Sequence, residues 1–169
     1  IYTTGIGWRA DKLPGFDPTK YANPWTALWP QGPKIRGLVG MLDDQHDALA
    51  MALLRNGVTD VNTDNPAQIT AAQNAIQQLI KSANLKFDTN EYQHLADASL
   101  WLHQAWSGDV AAAPSYAPKG TKPSAFAYWW PTSGHGPINN DTMAVVRGAK
   151  NPVLAHLFLN HVLDVEQAF

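Results

Sequence analysis

Short apolar runs alternate with amphipathic segments along most of this 169-residue chain. The run from 35 to 42 is bounded by turn residues and is typical of a strand that is buried on both faces. The segment that opens at Asn65-Pro66 instead repeats its apolar side chains with a helical period as far as residue 80. Strands and helices in alternation predict an α/β fold, with helices packed on a mostly parallel mixed sheet.

Turn residues and helix caps place the remaining elements. Asp44 can cap a helix that ends at Asn56, before Gly57, and Ser107 or Asp109 can cap another turn. A final helix begins at Pro152 and places an apolar stripe on one face, formed by Leu154, Leu157, Phe158 and Val162, with His161 on the same face. The other predictions are strands at 2–9, 86–89, 100–106, 125–130 and 142–146, helical segments at 23–29 and 91–98, and loops at 113–124 and 132–140.

The composition excludes several classes of protein. Apolar residues make up 45% of the chain and charged residues only 15%, which excludes disorder. The net charge is -2 and the 12 Lys and Arg residues are not clustered, so we expect no nucleic-acid partner. The chain has no long apolar run and no basic leader, so we expect neither a membrane span nor a signal peptide. The start without Met suggests a processed or excised piece.

The common signatures of enzymes and metal sites are absent from the sequence. There is no G-x-G-x-x-G or Walker loop, no H-E-x-x-H, no G-x-S-x-G and no cysteine. The 6 histidines do not combine with carboxylates in a spacing that specifies a metal ion. We therefore expect no metal, no cofactor and no catalysis.

Three polar clusters stand at the ends of predicted strands or where a loop meets one: Asp43-Asp44 with Asp47, Ser107-Gly108-Asp109 after Trp106, and Asn139-Asn140-Asp141. Because ligands of α/β sheets bind beyond the carboxyl ends of the strands, we expect the clusters to converge at one edge.

Each cluster also has a purely structural interpretation. An indole beside a carboxylate suits an organic cation, which the ring face attracts by about 0.5 to 2 kcal/mol. The spacing at Trp106 fits a buried tryptophan before a capped helix equally well. Asp44 and Asp47 form an ordinary capping arrangement, although three carboxylates within five residues repel one another unless a cation is bound. Spacing alone leaves both interpretations open.

Several motifs occur together in one order along the chain. They are T-T-G-I-G at 3–7, W-x-x-L-W at 25–29, L-D-D-x-x-D-x-x-x-M-A-L at 42–53, T-D-N-P-A-Q at 63–68, W-S-G-D at 106–109, N-D-T-M-A-V at 140–145 and G-A-K-N-P-x-x-A-H at 148–156. In this order the sequence resembles the extracellular solute-binding proteins of spermidine/putrescine ABC transporters, over nearly its whole length.

The resemblance implies a periplasmic-binding-protein-like fold of type II, in which two lobes hold a ligand in the cleft between them. Residues 1–140 then correspond to the second lobe, and residues 141–169 to a crossover strand and a helix that belong to the first lobe. The rest of the first lobe, expected before Ile1, and a segment expected after Phe169 are missing. We expect the apolar helix to pack on that missing lobe in the intact protein, and the fragment to self-associate.

The resemblance assigns six residues to the ligand site: Asp44, Asp47, Trp106, Asp109, Asn139 and Asp141. The acidic residues match positions that bind ligand amines, and Trp106 matches the tryptophan that stacks on the ligand. Asn139 stands where the family often has an aromatic residue, which weakens the stacking clamp.

The implied function is capture of a small cationic amine and its delivery to an ABC permease. The protein would act in the periplasm or outside the cell and associate with the membrane through the transporter. One alternative is a sensor or receptor domain on the same fold. A less favoured alternative is a hydrolase that uses Asp44 or Asp47 with His46.

Overall fold

The computed structural model describes residues 1–168, which form two compact units, 1–139 and 140–168. Within the described residues, the first unit is built on a six-stranded sheet with the strands β1 Tyr2–Arg9, β2 Val39–Leu42, β3 Lys86–Asp88, β4 Leu102–Trp106, β5 Phe126–Trp129 and β6 Ile138–Asn139. Its α-helices are α1 Leu28–Gln31, α2 Gln45–Arg55, α3 Pro66–Ala83, α4 Glu91–Asp97 and α5 Ser107–Tyr116.

The strand order is β3-β2-β4-β1-β5, and β6 pairs with the start of β1. Strand β2 is parallel to β3 and β4, whereas β1 is antiparallel to β4, β5 and β6. Among the strands described in residues 1–168, β1 alone is therefore reversed, and the predicted mostly parallel mixed sheet is confirmed. The carboxyl ends of β2 and β4 lie at the same edge as the start of β1.

Hydrophobic clusters cover both faces of the sheet. On one face, Ile6 and Met41 belong to a buried cluster with Met51 of α2. On the other face, Ala105 packs with Val110 of α5 and with side chains of α4. Successive residues of a strand point to opposite faces, so two layers of helices cover the sheet and leave its edges for the loops.

Helices α2 and α3 begin where the capping patterns predict. The side chain of Asp44 accepts a 2.9 Å hydrogen bond from the backbone N–H of Asp47, and that of Asn65 accepts one of 3.0 Å from Ala67. Helix α2 ends just before Gly57, which has φ 83°. These polar groups satisfy donors that a helix leaves free at its start, so the positions of both helices were predictable from the sequence.

Some local predictions are wrong. The strand predicted at 35–42 begins only at Val39, because the residues before Arg36 form a 3-10 turn. The predicted loop from residue 113 is helical as far as Tyr116 and includes Pro114, because this last turn packs on α4 through Ala113 and through the ring contact of Tyr116 with Tyr92. Residues 138–139, predicted to be in a loop, pair with β1.

The predicted caps of α5 are also wrong. Trp106 occupies the N-cap position and its side chain does not cap the helix, which already includes Ser107. The hydroxyl of Ser107 instead accepts a 3.2 Å hydrogen bond from the backbone N–H of Thr3. Asp109 thus lies in the first turn of the helix, where a negative charge interacts favourably with the positive end of the helix dipole.

The second unit contains α6 Pro152–Val162 and α7 Val165–Ala168. The start of α6 at Pro152 confirms the prediction, and Leu154, Leu157 and Phe158 on its apolar stripe are exposed. The strand predicted at 142–146 is not formed, because strand propensity requires a neighbouring strand and the sheet pairings of residues 1–168 do not include this segment. The assignment of the two parts to lobes stays a prediction.

No helix within residues 1–168 combines the length and the apolar character that a membrane crossing requires.

Candidate ligand-binding site

The candidate site lies at the edge of the sheet where β2 and β4 end. The turn after β2 leads into α2 and places Asp47 in the first turn of that helix. Strand β4 ends at Trp106, and the antiparallel β1 brings Thr4 opposite Trp106. At the same edge β6 pairs Asn139 with Tyr2. The topology therefore collects residues that are far apart in the sequence.

The carboxylate of Asp47 lies at the centre of this cluster and is only 3% exposed. Its Oδ2 accepts a 2.7 Å hydrogen bond from the indole Nε1 of Trp106. Its Oδ1 accepts a hydrogen bond of 3.1 Å from the hydroxyl of Thr4 and a longer one of 3.4 Å from the side-chain amide of Asn139. Three uncharged donors thus hold the two carboxylate oxygens.

No cationic side chain accompanies this carboxylate. The ion pairs described in residues 1–168 do not include Asp47. Burying a carboxylate is costly unless hydrogen bonds or an opposite charge replace its water. The surrounding donors supply the hydrogen bonds, and no ion pair among the described residues supplies an opposite charge.

Trp106 links the two sides of the site. Its half-buried ring meets the ring of Tyr2 edge-on, with 6.0 Å between the ring centroids. Its indole N–H is bound to Asp47, while its backbone N–H donates a 3.1 Å hydrogen bond to Oε1 of Glu91. Asp47 therefore holds the indole of Trp106, and Glu91 holds the backbone of the same residue.

Glu91 is the first residue of α4 and is fully buried. Burial raises the pKa of this carboxyl group to about 7, against the lowering effect of the hydrogen bond from Trp106. Its other oxygen, Oε2, has no donor among the described residues. Burial also raises the pKa of Asp109, despite a hydrogen bond with Glu91. The two carboxyl groups form an acidic pair.

A buried histidine, His103, lies near Glu91. The ring of His103 is fully buried, and its Nε2 lies 3.7 Å from Oδ2 of Asp88. A β-carbon at Gly40, on the neighbouring strand, would lie only 1.9 Å from the ring, so the glycine makes room for it. Burial acts to raise the pKa of Asp88, but the nearby ring of His103 and a hydrogen bond from the backbone N–H of Asn90 lower it below its ordinary value.

The structure brings together only some of the predicted site residues. Trp106 and Asn139 both contact Asp47, and Asp44 lies one turn away as the half-buried cap of α2. Asp109 lies on the other side of Trp106 and contacts Glu91 rather than Asp47. A ligand-binding role for these residues is not tested by their positions and stays a prediction.

Asp141 is exposed and belongs to the second unit, so its place in the site also stays a prediction.

Sequence reasoning missed Glu91 and Thr4. A glutamate at the start of a helix is normally solvated, and its charge interacts favourably with the helix dipole. Nothing in the sequence around Glu91 therefore distinguishes it from such an ordinary glutamate. Thr4 lies inside a strand-forming motif, where threonine is an ordinary residue. Only the pairing of β1 with β4 and the packing of α4 against α5 reveal their contacts.

The described residues contain no group of three or more His, Asp or Glu side chains that could hold a metal ion.

Comparisons with known proteins identify the family. The family model described as bacterial extracellular solute-binding protein matches residues 1–168. The chain is 28% identical over 165 residues to the spermidine/putrescine-binding periplasmic protein of Escherichia coli strain K12, covering 98% of this chain and 43% of that protein. It is also 28% identical over 172 residues to the putrescine/cadaverine-binding protein of Pseudomonas aeruginosa strain PAO1, covering 98% of this chain and 46% of that protein.

Solved structures agree with the fold. The lipoprotein TpPotD of Treponema pallidum superposes with a TM-score of 0.71 at 18% identity, over 99% of this chain and 49% of that one. The fold expected from the resemblance is thereby confirmed. The chain spans less than half the length of the curated relatives that it matches. These relatives are named as binding proteins and not as enzymes, and the match of the family model over residues 1–168 shows that the chain belongs to the bacterial extracellular solute-binding proteins.

Proposed function

We propose that this protein captures a small organic cation, with putrescine and spermidine as the leading candidates, and delivers it to an ABC permease. The observation that carries the proposal is the carboxylate of Asp47, which is buried without a cation and bound to the indole of Trp106. The Escherichia coli relative is named as a periplasmic protein that binds spermidine and putrescine, and the Pseudomonas aeruginosa relative is named for putrescine and cadaverine. We propose the same compartment and the same class of ligand here.

The chemistry of the edge suits an alkyl diamine. An ammonium group leaves water only when carboxylates or aromatic faces replace its hydration. The ring of Trp106 offers a face for a cationic group, worth about 0.5 to 2 kcal/mol. Its half-exposed position leaves room for an aliphatic chain beside it.

The carboxylates take different roles in this proposal. Asp47 orients the indole, since both of its oxygens already accept hydrogen bonds from the protein. Asp44 is half-buried, and one of its carboxylate oxygens accepts the capping hydrogen bond of α2. Its other oxygen can accept a hydrogen bond from an ammonium group. Asp109, also half-buried, meets the ligand from the far side of Trp106.

Asn139 is the replaceable partner of Asp47. Its amide makes the longest of the three contacts with the carboxylate, at 3.4 Å. An ammonium group that displaces this amide would gain a charge-assisted hydrogen bond to Oδ1 of Asp47. Asp141, in the second unit, enters the proposal through the family resemblance alone.

The indole N–H of Trp106 gives a direct test, because it donates to Asp47 at the centre of the site. Nuclear magnetic resonance of the 169-residue chain can follow this N–H during titration with putrescine. We expect a saturable shift of the Trp106 resonance that is larger than the shifts of Trp25 and Trp101. The neutral 1,4-butanediol should leave all three unchanged.

Two variants complete the experiment. Asp44→Asn should weaken putrescine binding about tenfold or more, because an ammonium ion without its carboxylate loses several kcal/mol. The exposed Asp60 provides the matched control, and Asp60→Asn should leave the affinity unchanged. A Trp106 resonance that responds equally to putrescine and to the diol would contradict the proposal.

A further inference from the structure

Glu91 and Asp109 form a feature that the binding of an amine does not by itself require. Glu91 is fully buried at the start of α4, and its Oε2 has no hydrogen-bond donor among the described residues. The side chain of Glu91 also interacts with another carboxyl group, that of Asp109 on α5. Two carboxylates in contact repel each other, and a buried oxygen without a donor is costly.

A single proton removes both costs. A protonated carboxyl group donates to the other, and the oxygen without a donor becomes part of a hydrogen bond. Carboxyl pairs of this kind titrate as a unit, because the charge on one group opposes ionisation of the other. One proton between Glu91 and Asp109 would therefore stabilise their contact.

The other charged groups around Glu91 do not replace this proton. The ring of His103 on β4 lies near Glu91, but its Nε2 lies 3.7 Å from Oδ2 of Asp88 at the end of β3. His94, on the same helix as Glu91, also pairs with Asp88, at 3.6 Å. The guanidinium of Arg9 donates to the backbone carbonyls of α4 and to Asp11.

The pair is connected to Trp106 by position and by a hydrogen bond. Glu91 accepts the backbone N–H of Trp106, and Asp109 follows Trp106 by three residues in the first turn of α5. Asp109 is half-buried, so one side of its carboxyl group faces Glu91 while another reaches solvent. The acidic pair therefore contacts the backbone at Trp106, and Asp109 is its solvent-accessible member.

We propose that Glu91 and Asp109 hold a shared proton while the site is empty and release it to solvent when a cationic group lies against Asp109 and Trp106. The positive charge of the ligand then replaces the proton as the partner of the pair. Glu91 acts as a positioning residue, because it touches Trp106 and Asp109 and not the ligand. This inference rests on the proposed function.

Two measurements on the 169-residue chain test the exchange. The first is a pH titration of the carboxyl carbons of Glu91 and Asp109 by nuclear magnetic resonance, without and with saturating putrescine. We expect a shared titration near neutral pH in the free protein, and a fall of its midpoint by at least one pH unit with putrescine. The second is calorimetry at pH 6 in two buffers of different ionisation enthalpy, which should report the release of up to about one proton per putrescine bound.

Glu91→Gln provides the decisive variant. Glutamine keeps an acceptor for the backbone N–H of Trp106 and can donate to Asp109, but it cannot release a proton. We expect this variant to bind putrescine without proton release, whereas Asp60→Asn should release as many protons as the unaltered chain. A merely structural role for Glu91 would leave the proton count unchanged in Glu91→Gln.

The outcomes separate this inference from the proposed function. A shift of the Trp106 indole with no proton released would overturn the exchange and leave the proposed function intact. No response of that indole to putrescine would overturn both, and the titration of the free protein would still show whether the pair shares a proton. Equal proton release by the unaltered chain and by Glu91→Gln would also overturn the exchange.

Discussion

Asp47 and Glu91 are buried carboxyl groups on opposite sides of Trp106, and they differ in their hydrogen-bond partners. Asp47 receives hydrogen bonds from Thr4, Asn139 and the indole of Trp106. Glu91 receives the backbone N–H of Trp106 at one oxygen, while the other lacks a donor among the described residues and the neighbouring side chain is acidic. The two carboxyl groups are buried to a similar extent, but Asp47 has more hydrogen-bond donors around it than Glu91 has.

The comparison shows that burial alone does not determine how an acidic residue behaves. A carboxylate with a donor at every oxygen needs no proton to satisfy its hydrogen bonds. A carboxyl group that lacks donors and faces another acid keeps its proton to a higher pH, which agrees with the raised pKa of Glu91. The carboxylate of Asp47 is thus held in place by its donors, whereas the raised pKa of Glu91 lets that group lose its proton near neutral pH.

The largest effect is expected from Asp47→Ala. The change leaves the indole N–H of Trp106, the hydroxyl of Thr4 and the amide of Asn139 without their shared acceptor. Because each buried donor without an acceptor costs about 1 to 3 kcal/mol, we expect a loss of about 3 to 5 kcal/mol in the free energy of unfolding. Urea denaturation measures it.

Asp43→Ala is the matched control, because Asp43 is exposed in the same acidic segment. It should change the free energy of unfolding by no more than about 0.5 kcal/mol. Equal losses in the two variants would mean that the hydrogen bonds to Asp47 do not stabilise the fold.

The second effect is a pH dependence of stability caused by Glu91. The carboxyl group has a pKa of about 7 in the folded protein and its ordinary value of 4.5 in the unfolded chain. Between these values the folded protein binds more protons, so its stability falls as the pH rises from about 5 to 8, by on the order of 3 kcal/mol. Denaturation in urea at several pH values measures the fall.

Glu91→Gln should remove most of this dependence. The variant should match the unaltered chain at pH 5 and be more stable at pH 8, since glutamine carries no charge to bury. A variant that is less stable than the unaltered chain at pH 8 would contradict the contrast between the two carboxyl groups.

The third effect concerns the indole that joins the two sides. Trp106→Phe keeps a ring but removes the N–H bound to the carboxylate of Asp47, whereas Trp101→Phe removes an N–H bound to the backbone carbonyl of Ala98. Hydrogen bonds to charged groups contribute about 1.5 to 3 kcal/mol and neutral ones about 1 kcal/mol. Trp106→Phe should therefore be the more destabilising in urea, and the reverse order would show that Asp47 gains little from the indole.

The smallest effect is expected from Asn139→Ala. Its amide makes the longest contact with Asp47, at 3.4 Å, so its removal should cost about 0.5 to 1 kcal/mol in thermal or urea unfolding. The exposed Asn62 is the control, and Asn62→Ala should have a smaller effect. A greater loss for Asn139→Ala than for Trp106→Phe would reverse the order of donors around the carboxylate.

The sequence predicted those parts of the fold that depend on local rules. The caps at Asp44 and Asn65 and the period of α3 are local, and both helices lie where these patterns place them. The strand predicted at 142–146 and the loop predicted from 113 failed because they depend on neighbours. Pro114 lies within a helix whose last turn packs on α4, which its local sequence does not show.

The candidate site was predictable only in outline. The shared edge of parallel strands predicted that Asp47 and Trp106 would approach each other, although 59 residues separate them. The partner of Asp109 was not predictable, because nothing in the local sequence of Glu91 distinguishes a buried acid from a solvated one. Its burial depends on the packing of α4 against α5.

A crystal structure of the protein with putrescine tests the central claim most directly, namely that an organic cation binds between the carboxyl groups on either side of Trp106. The account predicts an ammonium nitrogen about 3 Å from a carboxylate oxygen of Asp44, Asp47 or Asp109, with the alkyl chain against the indole. Putrescine bound away from Trp106, or bound at this edge with no carboxylate in contact, would contradict it.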